Sequence, residues 1–450
     1  MTVPVITAAG HPQVARRGAP PADRGAGVAA PKPFRGTVAG LAPWPARIPP
    51  PVCDPAAFFA DPVLNNQTLF TLAAAGYGAA EYGEVASAID AAHRGGNSYE
   101  AYYRAFRSLG QQVSGFGRDA VASRNPAAAR GAFLRAASYL AASLYVAIGT
   151  GHPRRQAAGY RAMDRNWALA AGLLEPVAEQ VRIRSGRTIL PGWLLRPPAT
   201  AGQFSVRRPT VIFTGGADTQ HVGLYVYGAA EAVALGYNAL LLDGPGQGSL
   251  LYLRGTGLRP DWERVITPAV DYLQERADVD PRRIALVGWG LGGALAARAA
   301  AREHRLAALV LDPGVTDVLA TLRLPAPLVD LAASGHPGDA DAAWASIMPR
   351  LPASVRFAVT KAAHPFRQTA FSALVRELAR YSTEAWLPDI TAPTLVTQWG
   401  SDVVFPGQGR QAEHLLRCPR SLHEFSGAAG QPLPPHRRNQ VIFDWLSRVL

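Results

Sequence analysis

Residues 285–300 read ALVGWGLGGALAARAA, and the fold turns on them. A short apolar run ends in Gly288-Trp289-Gly290-Leu291-Gly292-Gly293, and a pattern of small helix-forming residues follows. This is a strand, a tight turn and a helix, and the turn fits two motifs. Gly288, Gly290 and Gly293 satisfy G-x-G-x-x-G, the dinucleotide-binding turn; Asp312 ends the next strand 19 residues beyond Gly293, near where an acid would bind a ribose hydroxyl. Gly288 to Gly292 also satisfies the elbow G-x-S-x-G, with glycine where the serine would stand.

The surrounding chain decides between them. "VAEQVRIRSGRTILPGWLLRPP" reads as two strands about a turn at Ser185-Gly186, and "PTVIFTGG" as a buried strand entering glycines. "AAEAVALGYNALLLDGPGQG" is helix, strand and Gly-rich turn. "LAALVLDPG" and "APTLVTQWGSD" are later strands, and "RRNQVIFDWLSRVL" is a closing helix. Strands alternating with helices predict an α/β fold with a doubly wound, mostly parallel sheet over 177–450. At least four strands precede the turn, whereas a dinucleotide turn normally follows the first strand of its sheet. The elbow reading also gives the upstream glycine motifs a role.

Two flanking regions differ in texture. Residues 1–50 are rich in Pro, Ala, Gly and Arg without apolar period and read as a mobile tail. Residues 56–175 carry apolar residues at three- and four-residue spacing, with Asn125-Pro126 as N-cap and first turn of one helix; this predicts an all-helical cap. Residues 315–385 break the strand–helix rhythm with further helices, as an inserted lid would.

Composition excludes several classes. The chain has 450 residues, 48% hydrophobic and 17% charged, ample for a large α/β domain and a helical accessory. The net charge of +12 suggests nucleic acid, but all basic residues except Lys32 and Lys361 are arginines, scattered in runs no longer than two. A phosphate-tracking groove needs clustering and interleaved aromatics. Cys53 and Cys418 make neither a disulfide framework nor a metal site, which fits a reducing cytoplasm. No run of 18 apolar residues marks a membrane span. Arg16-Arg17 lacks the apolar segment that an export signal needs. Nothing calls for a cofactor or a metal.

The motifs then carry a resemblance. Gly215-Gly216-Ala217-Asp218, Asp243-Gly-Pro-Gly-Gln-Gly248, Arg259-Pro-Asp-Trp-Glu263 and Asp280-Pro-Arg-Arg-Ile-Ala-Leu-Val-Gly-Trp-Gly-Leu-Gly-Gly293 stand in order, with "FLRAASY" (133–139) in the helical cap. Over about 60–450 the chain resembles the α/β-hydrolases related to 2,6-dihydroxypseudooxynicotine hydrolase and the FrsA-like proteins. The resemblance implies an α/β-hydrolase fold with a helical cap, and dimers are common among its members. It implies a nucleophilic serine at position 290, where this chain has glycine. It places the triad acid at Asp402 and the histidine near Gln431 or Pro432, with His423 and His436 both out of register.

A glycine has no atom with which to attack a carbonyl, so no acyl-enzyme can form at Gly290. The backbone amides of Gly216 or Ala217 and of Leu291 would remain as an oxyanion hole, aided by the helix that begins near 291. Asp402, Asp218 and His221 are the candidate acid–base groups; structural roles compete for each. Trp289, Tyr139 and Gly290 are candidates for lining the substrate pocket, against plain core packing for the two aromatics. The DGPGQG turn reads as a tight connection rather than a phosphate cradle. The expected function is non-hydrolytic: a cyclase or related carbon–carbon bond-forming or eliminating enzyme on an apolar, carbonyl-bearing, polyketide-like intermediate. A ligand-binding pseudohydrolase and a hydrolase inactivated by Ser-to-Gly replacement are the alternatives. A small-molecule substrate is expected as the partner, with no nucleic acid and no membrane.

Overall fold

The computed structural model describes residues 58–198, 206–217, 219–334, 336–400, 405–426 and 435–450. The tail at 1–50, Asp218, Asp402, Gln431 and Pro432 lie outside them. The described residues belong to one compact unit, Gly40–Leu450.

Five helices come first: α1 (Pro62–Ala73), α2 (Tyr82–Arg94), α3 (Tyr99–Ala122), α4 (Pro126–Val146) and α5 (Arg154–Ala171). Their starts follow capping chemistry. Asp61 accepts from the amides of Val63 and Leu64, Ser98 from that of Ala101, and Asn125 from that of Ala128, with prolines opening α1 and α4. α3 is strongly amphipathic and buries Tyr102, Phe106, Leu109 and Val113. α4 with its extension, Pro126–Thr150, is long and apolar enough on mean hydropathy to cross a membrane, although no 18-residue apolar run exists. In this fold 72% of that window is buried by neighbouring helices.

Eight strands follow: β1 (Glu179–Ser185), β2 (Thr188–Leu195), β3 (Arg208–Thr214), β4 (Asn238–Leu242), β5 (Val279–Trp289), β6 (Ala308–Asp312), β7 (Thr394–Trp399) and β8 (Arg420–Phe425). They form one sheet in the order β1-β2-β4-β3-β5-β6-β7-β8. β1 and β2 pair antiparallel, as do β2 and β4, and all other pairs are parallel. The central strands are buried on both faces, hence their unbroken Val/Leu/Ile/Ala runs. Their side chains alternate: Val211, Phe213 and Val287 join the core shared with the helical region, and Ile212 and Leu286 the core on the other face.

The crossovers are α6 (His221–Leu224), α7 (Ala230–Ala234), α8 (Gly248–Tyr252), α9 (Glu263–Gln274) and α10 (Gly292–Ala300). The insertion contains α11 (Ala326–Ala333), α12 (Pro337–Ile347), α13 (Ala353–Ala363) and α14 (Phe371–Ala379); α15 (Gln408–Leu415) and α16 (Pro435–Val449) close the chain. Between α6 and α7 the chain kinks within Tyr225–Ala229, where Tyr227 and Gly228 leave helical geometry.

The inserted helices pack against the helical region. Phe357 of α13 stacks on Tyr99 of α3, with centroids 4.5 Å apart, and the insertion supplies none of the residues lining the main cavity.

Candidate active site

The elbow is built by glycines packed against backbone. A Cβ on Gly292 would stand 2.6 Å from the Thr214 carbonyl oxygen, and one on Gly293 would stand 2.2 Å from that of Pro313. α10 can therefore approach β3 and the end of β6 only with glycine at both positions. Gly290 differs. Its φ is +61°, the left-handed conformation in which L side chains are strained, yet a Cβ there would meet nothing within 4 Å. The position opens onto free space.

The turn is tied down from beneath. The Gly290 amide donates to the Asp312 carbonyl at 2.8 Å, and the Gly293 amide to the Gly290 carbonyl at 2.9 Å. The Asp312 carboxylate accepts from the Thr397 hydroxyl and from the Arg438 guanidinium, all three residues being almost fully buried. Arg438 also donates through Nη1 to the Tyr227 carbonyl at 2.6 Å and to Asn439 Oδ1 at 2.7 Å. One buried ion pair thus fixes both the elbow and the kink at Tyr227.

The loop after β3 reaches the elbow. A Cβ on Gly216 would lie 3.2 Å from Leu291 Cβ and 3.7 Å from the Leu291 amide nitrogen, so the two backbones nearly touch. The DGPGQG turn holds this loop. Gln247 is buried, donates to the Gly215 carbonyl at 2.5 Å, and accepts from the Gly244 amide at 2.8 Å. The role of that motif is to brace the loop, in keeping with the tight connection expected from its sequence.

Between the helical region and the elbow lies a half-open cavity of about 160 Å³. Gln67, Phe70 and Thr71 of α1 and Ser138, Ala141 and Tyr145 of α4 form one side; Thr219, Gln220, Val222, Gly223, Val226, Tyr227 and Trp289 form the other. Trp289 lines this space, and its ring stacks on Tyr227 with centroids 4.3 Å apart and planes 16° apart. Phe70 meets both rings edge-on, at 6.0 and 6.1 Å.

The other expected residues separate. Tyr139 does not line the cavity. Its hydroxyl lies within the helical region, donating to Glu84 at 2.6 Å and accepting from the Glu81 amide at 2.8 Å. Its helical spacing served the core. His221 faces away from the cavity that its neighbours Gln220 and Val222 line, and packs beside Trp167 with centroids 6.4 Å apart. Its Nε2 is 3.3 Å from Asp243 Oδ2 without hydrogen-bond alignment, and both residues are buried. Burial pushes the imidazole down to about 4, against a smaller opposing effect of Asp164, and pushes the Asp243 carboxyl up to about 8. At neutral pH this is a neutral imidazole beside a carboxylic acid, with Asp164 also raised by burial. His436 contacts the Gly76 carbonyl at 2.9 Å and stacks on Tyr77, and His423 packs on Phe425; neither lines the cavity. No histidine occurs in 427–434. Among the described residues no cluster of His, Cys, Asp and Glu could hold a metal.

Sequence reasoning missed Tyr227, Phe70 and Arg438. Arg438 had a signal: it sits on the apolar stripe of α16 with Pro435, Asn439, Ile442 and Leu446, where a charge requires a partner. Tyr227 and Phe70 had none, because each becomes a lining residue only when helix and elbow meet.

Comparison with known proteins agrees with this architecture. Residues 211–429 match the model of the alpha/beta hydrolase family. The hydrolase acrC of Aspergillus aculeatus is 35% identical over 57% of this chain and 62% of its own length, so the match leaves more than a third of that relative uncovered. The 20-hydroxy-prefusarin hydrolase FUS2 of Gibberella moniliformis is 31% identical over 64% of this chain and 69% of its own. The structure of 2,6-dihydroxy-pseudo-oxynicotine hydrolase superposes with a TM-score of 0.66 at 19% identity, covering 84% of this chain and 95% of that one. The chain belongs to the alpha/beta hydrolase family.

Proposed function

We propose that this protein is a non-hydrolytic enzyme that binds an apolar, carbonyl-bearing small molecule beside Gly290 and activates it for cyclisation, addition or elimination. The observation that carries this is the pairing of an open, side-chain-free elbow with a neighbouring cavity. A Cβ at Gly290 would meet nothing within 4 Å, and about 160 Å³ of half-open space adjoins Trp289. A scaffold that had only lost its chemistry could fill that space with side chains; here it is kept.

In this reading the amides of Leu291 and of Gly216 or Ala217 hold the carbonyl oxygen. Each such donor is worth about 3–4 kcal/mol where charge develops. With no hydroxyl at 290, the bound carbonyl is polarised without being attacked, and enolate or enone chemistry becomes accessible. Proximity in the cavity supplies much of the remaining rate. Relatives with names such as 20-hydroxy-prefusarin hydrolase support a natural-product intermediate as the substrate class.

The test is to incubate the purified protein with an ester panel, with a fluorophosphonate, and with polyketide-like keto-enone chains. Rearranged or cyclised product without ester turnover supports the reading. Stoichiometric fluorophosphonate labelling would overturn it.

A further inference from the structure

We infer that Gly290 is a specificity-determining residue: the carbonyl carbon of a bound ketone or enone lies where a side chain at 290 would stand, so that a single methyl group there weakens binding. This rests on the cavity being the substrate site of the proposed function and says how deeply the ligand enters it.

Loss of a nucleophile does not by itself call for glycine, since alanine is equally unable to attack a carbonyl. Packing does not call for it either. Cβ atoms on Gly288, Gly292 and Gly293 would stand 2.2, 2.6 and 2.2 Å from backbone oxygens, whereas one on Gly290 would meet nothing within 4 Å among the described residues. The φ of +61° favours glycine without demanding it. Arg124, Arg323 and Arg367 hold φ of 56°, 47° and 57° in this same chain. What glycine gives at 290 and alanine does not is the space.

That space adjoins the cavity on two sides. Trp289 precedes Gly290 and lines the cavity, and Thr219 and Gln220 line it from the loop after β3. Gly216 of that loop meets Leu291, the residue that follows Gly290. Position 290 is thus bracketed by lining residues and by the contact of loop and elbow. Trp289 leaves the place open, because its ring is held aside by stacking on Tyr227 at 4.3 Å and by the edge contact with Phe70 at 6.1 Å.

The surface presented at 290 is apolar. The Gly290 amide is spent on the Asp312 carbonyl at 2.8 Å, and the Gly290 carbonyl accepts from the Gly293 amide at 2.9 Å. The Cα is left to meet a ligand, and it offers contact to carbon rather than a hydrogen bond to water. A trigonal carbonyl carbon is thin enough to rest on it at contact distance, about 4 Å. A methyl group at 290 would hold the same carbonyl one atom further out.

The experiment titrates benzylideneacetone, an aryl enone, by calorimetry into the full chain, Gly290→Ala and Gly223→Ala. Gly223 lines the same cavity, and a Cβ on it would lie 3.6 Å from Thr219 Cγ2, an ordinary contact, so G223A takes up the same volume elsewhere. The expected result is that G290A weakens the enone at least about tenfold and G223A by no more than about threefold. A smaller loss in G290A, a loss in G223A as large as that in G290A, or no binding to the native chain would overturn the inference. A crystal structure of the native chain with the enone answers without a variant. The carbonyl carbon should lie within about 4.5 Å of the Gly290 Cα, and a water molecule or another part of the ligand in that place would overturn the inference. No turnover is measured, so ester hydrolysis would overturn the functional reading and leave this one standing, and native-like binding by G290A would overturn this one alone.

Discussion

Gly290→Ser restores the side chain that the resemblance implies, and the structure gives its cost. No atom lies within 4 Å of the new Cβ, so packing contributes nothing unfavourable. The φ of +61° is retained, and a left-handed L residue costs about 1–2 kcal/mol. Replacing glycine also narrows the unfolded ensemble, which returns about 0.4–1 kcal/mol. The net expectation is a loss of about 1 kcal/mol, a fall in Tm of roughly 2 °C. Gly293→Ala is the matched control: its Cβ would lie 2.2 Å from the Pro313 carbonyl oxygen, and about 3 kcal/mol or more should be lost. The serine hydroxyl should remain unreactive, because 427–434, where the resemblance implies the histidine, contain none, and His221 and His436 sit against Asp243 and the Gly76 carbonyl. Thermal unfolding gives the first quantity; 4-nitrophenyl acetate turnover and fluorophosphonate labelling give the second. A G290S protein as damaged as G293A would show the open space to be filled. A stoichiometric acylation burst would show that a general base stands at the site.

Three further outcomes follow from the buried polar groups. Asp243 is unfolded-state acidic at 3.8 and folded at about 8, so its contribution declines as pH rises between those values; His221, moving from 6.5 down to about 4, contributes a rise between 4 and 6.5. Asp164, also raised by burial, adds to the decline; above 6.5 His221 no longer opposes Asp243, and from there to 8 stability in urea unfolding should fall by about 2 kcal/mol, a slope that Asp243→Asn reduces. Arg438→Met leaves the Asp312 carboxylate buried and unpaired and should cost about 3–5 kcal/mol, with Asp312→Leu in the same chain recovering much of it; chemical denaturation of both variants checks this. Gln247→Ala removes the brace on the Gly215 carbonyl and should cost about 1–3 kcal/mol while speeding amide hydrogen exchange across 215–217, read by mass spectrometry; unchanged exchange there would refute the brace.

The fold was readable because its signals are local. The Gly-rich turns fall where β3, β4 and β5 end, and strand–helix alternation gave a mostly parallel sheet before any contact was known. The elbow was readable for the same reason, since its glycines are demanded by backbone a few residues away in space and in fixed order along the chain. The cavity was not. Tyr139 and Tyr145 lie on one helix, yet only Tyr145 lines the space, because Glu84 of α2 captures the Tyr139 hydroxyl. His221 follows the loop after β3 closely in sequence, but the first turn of α6 directs it toward Trp167 and Asp243. Periodicity tells which residues share a face; it does not tell which neighbour covers that face.

The central claim, a carbonyl held beside an elbow that cannot attack it, is tested most directly by fluorine NMR of phenyl trifluoromethyl ketone with the native chain. A serine hydrolase converts such a ketone into a hemiketal with its own resonance. The account predicts reversible, saturable binding with a shifted ketone or hydrate signal and no hemiketal. A hemiketal adduct would mean that a nucleophile is present, and absence of binding would mean that no carbonyl is held there.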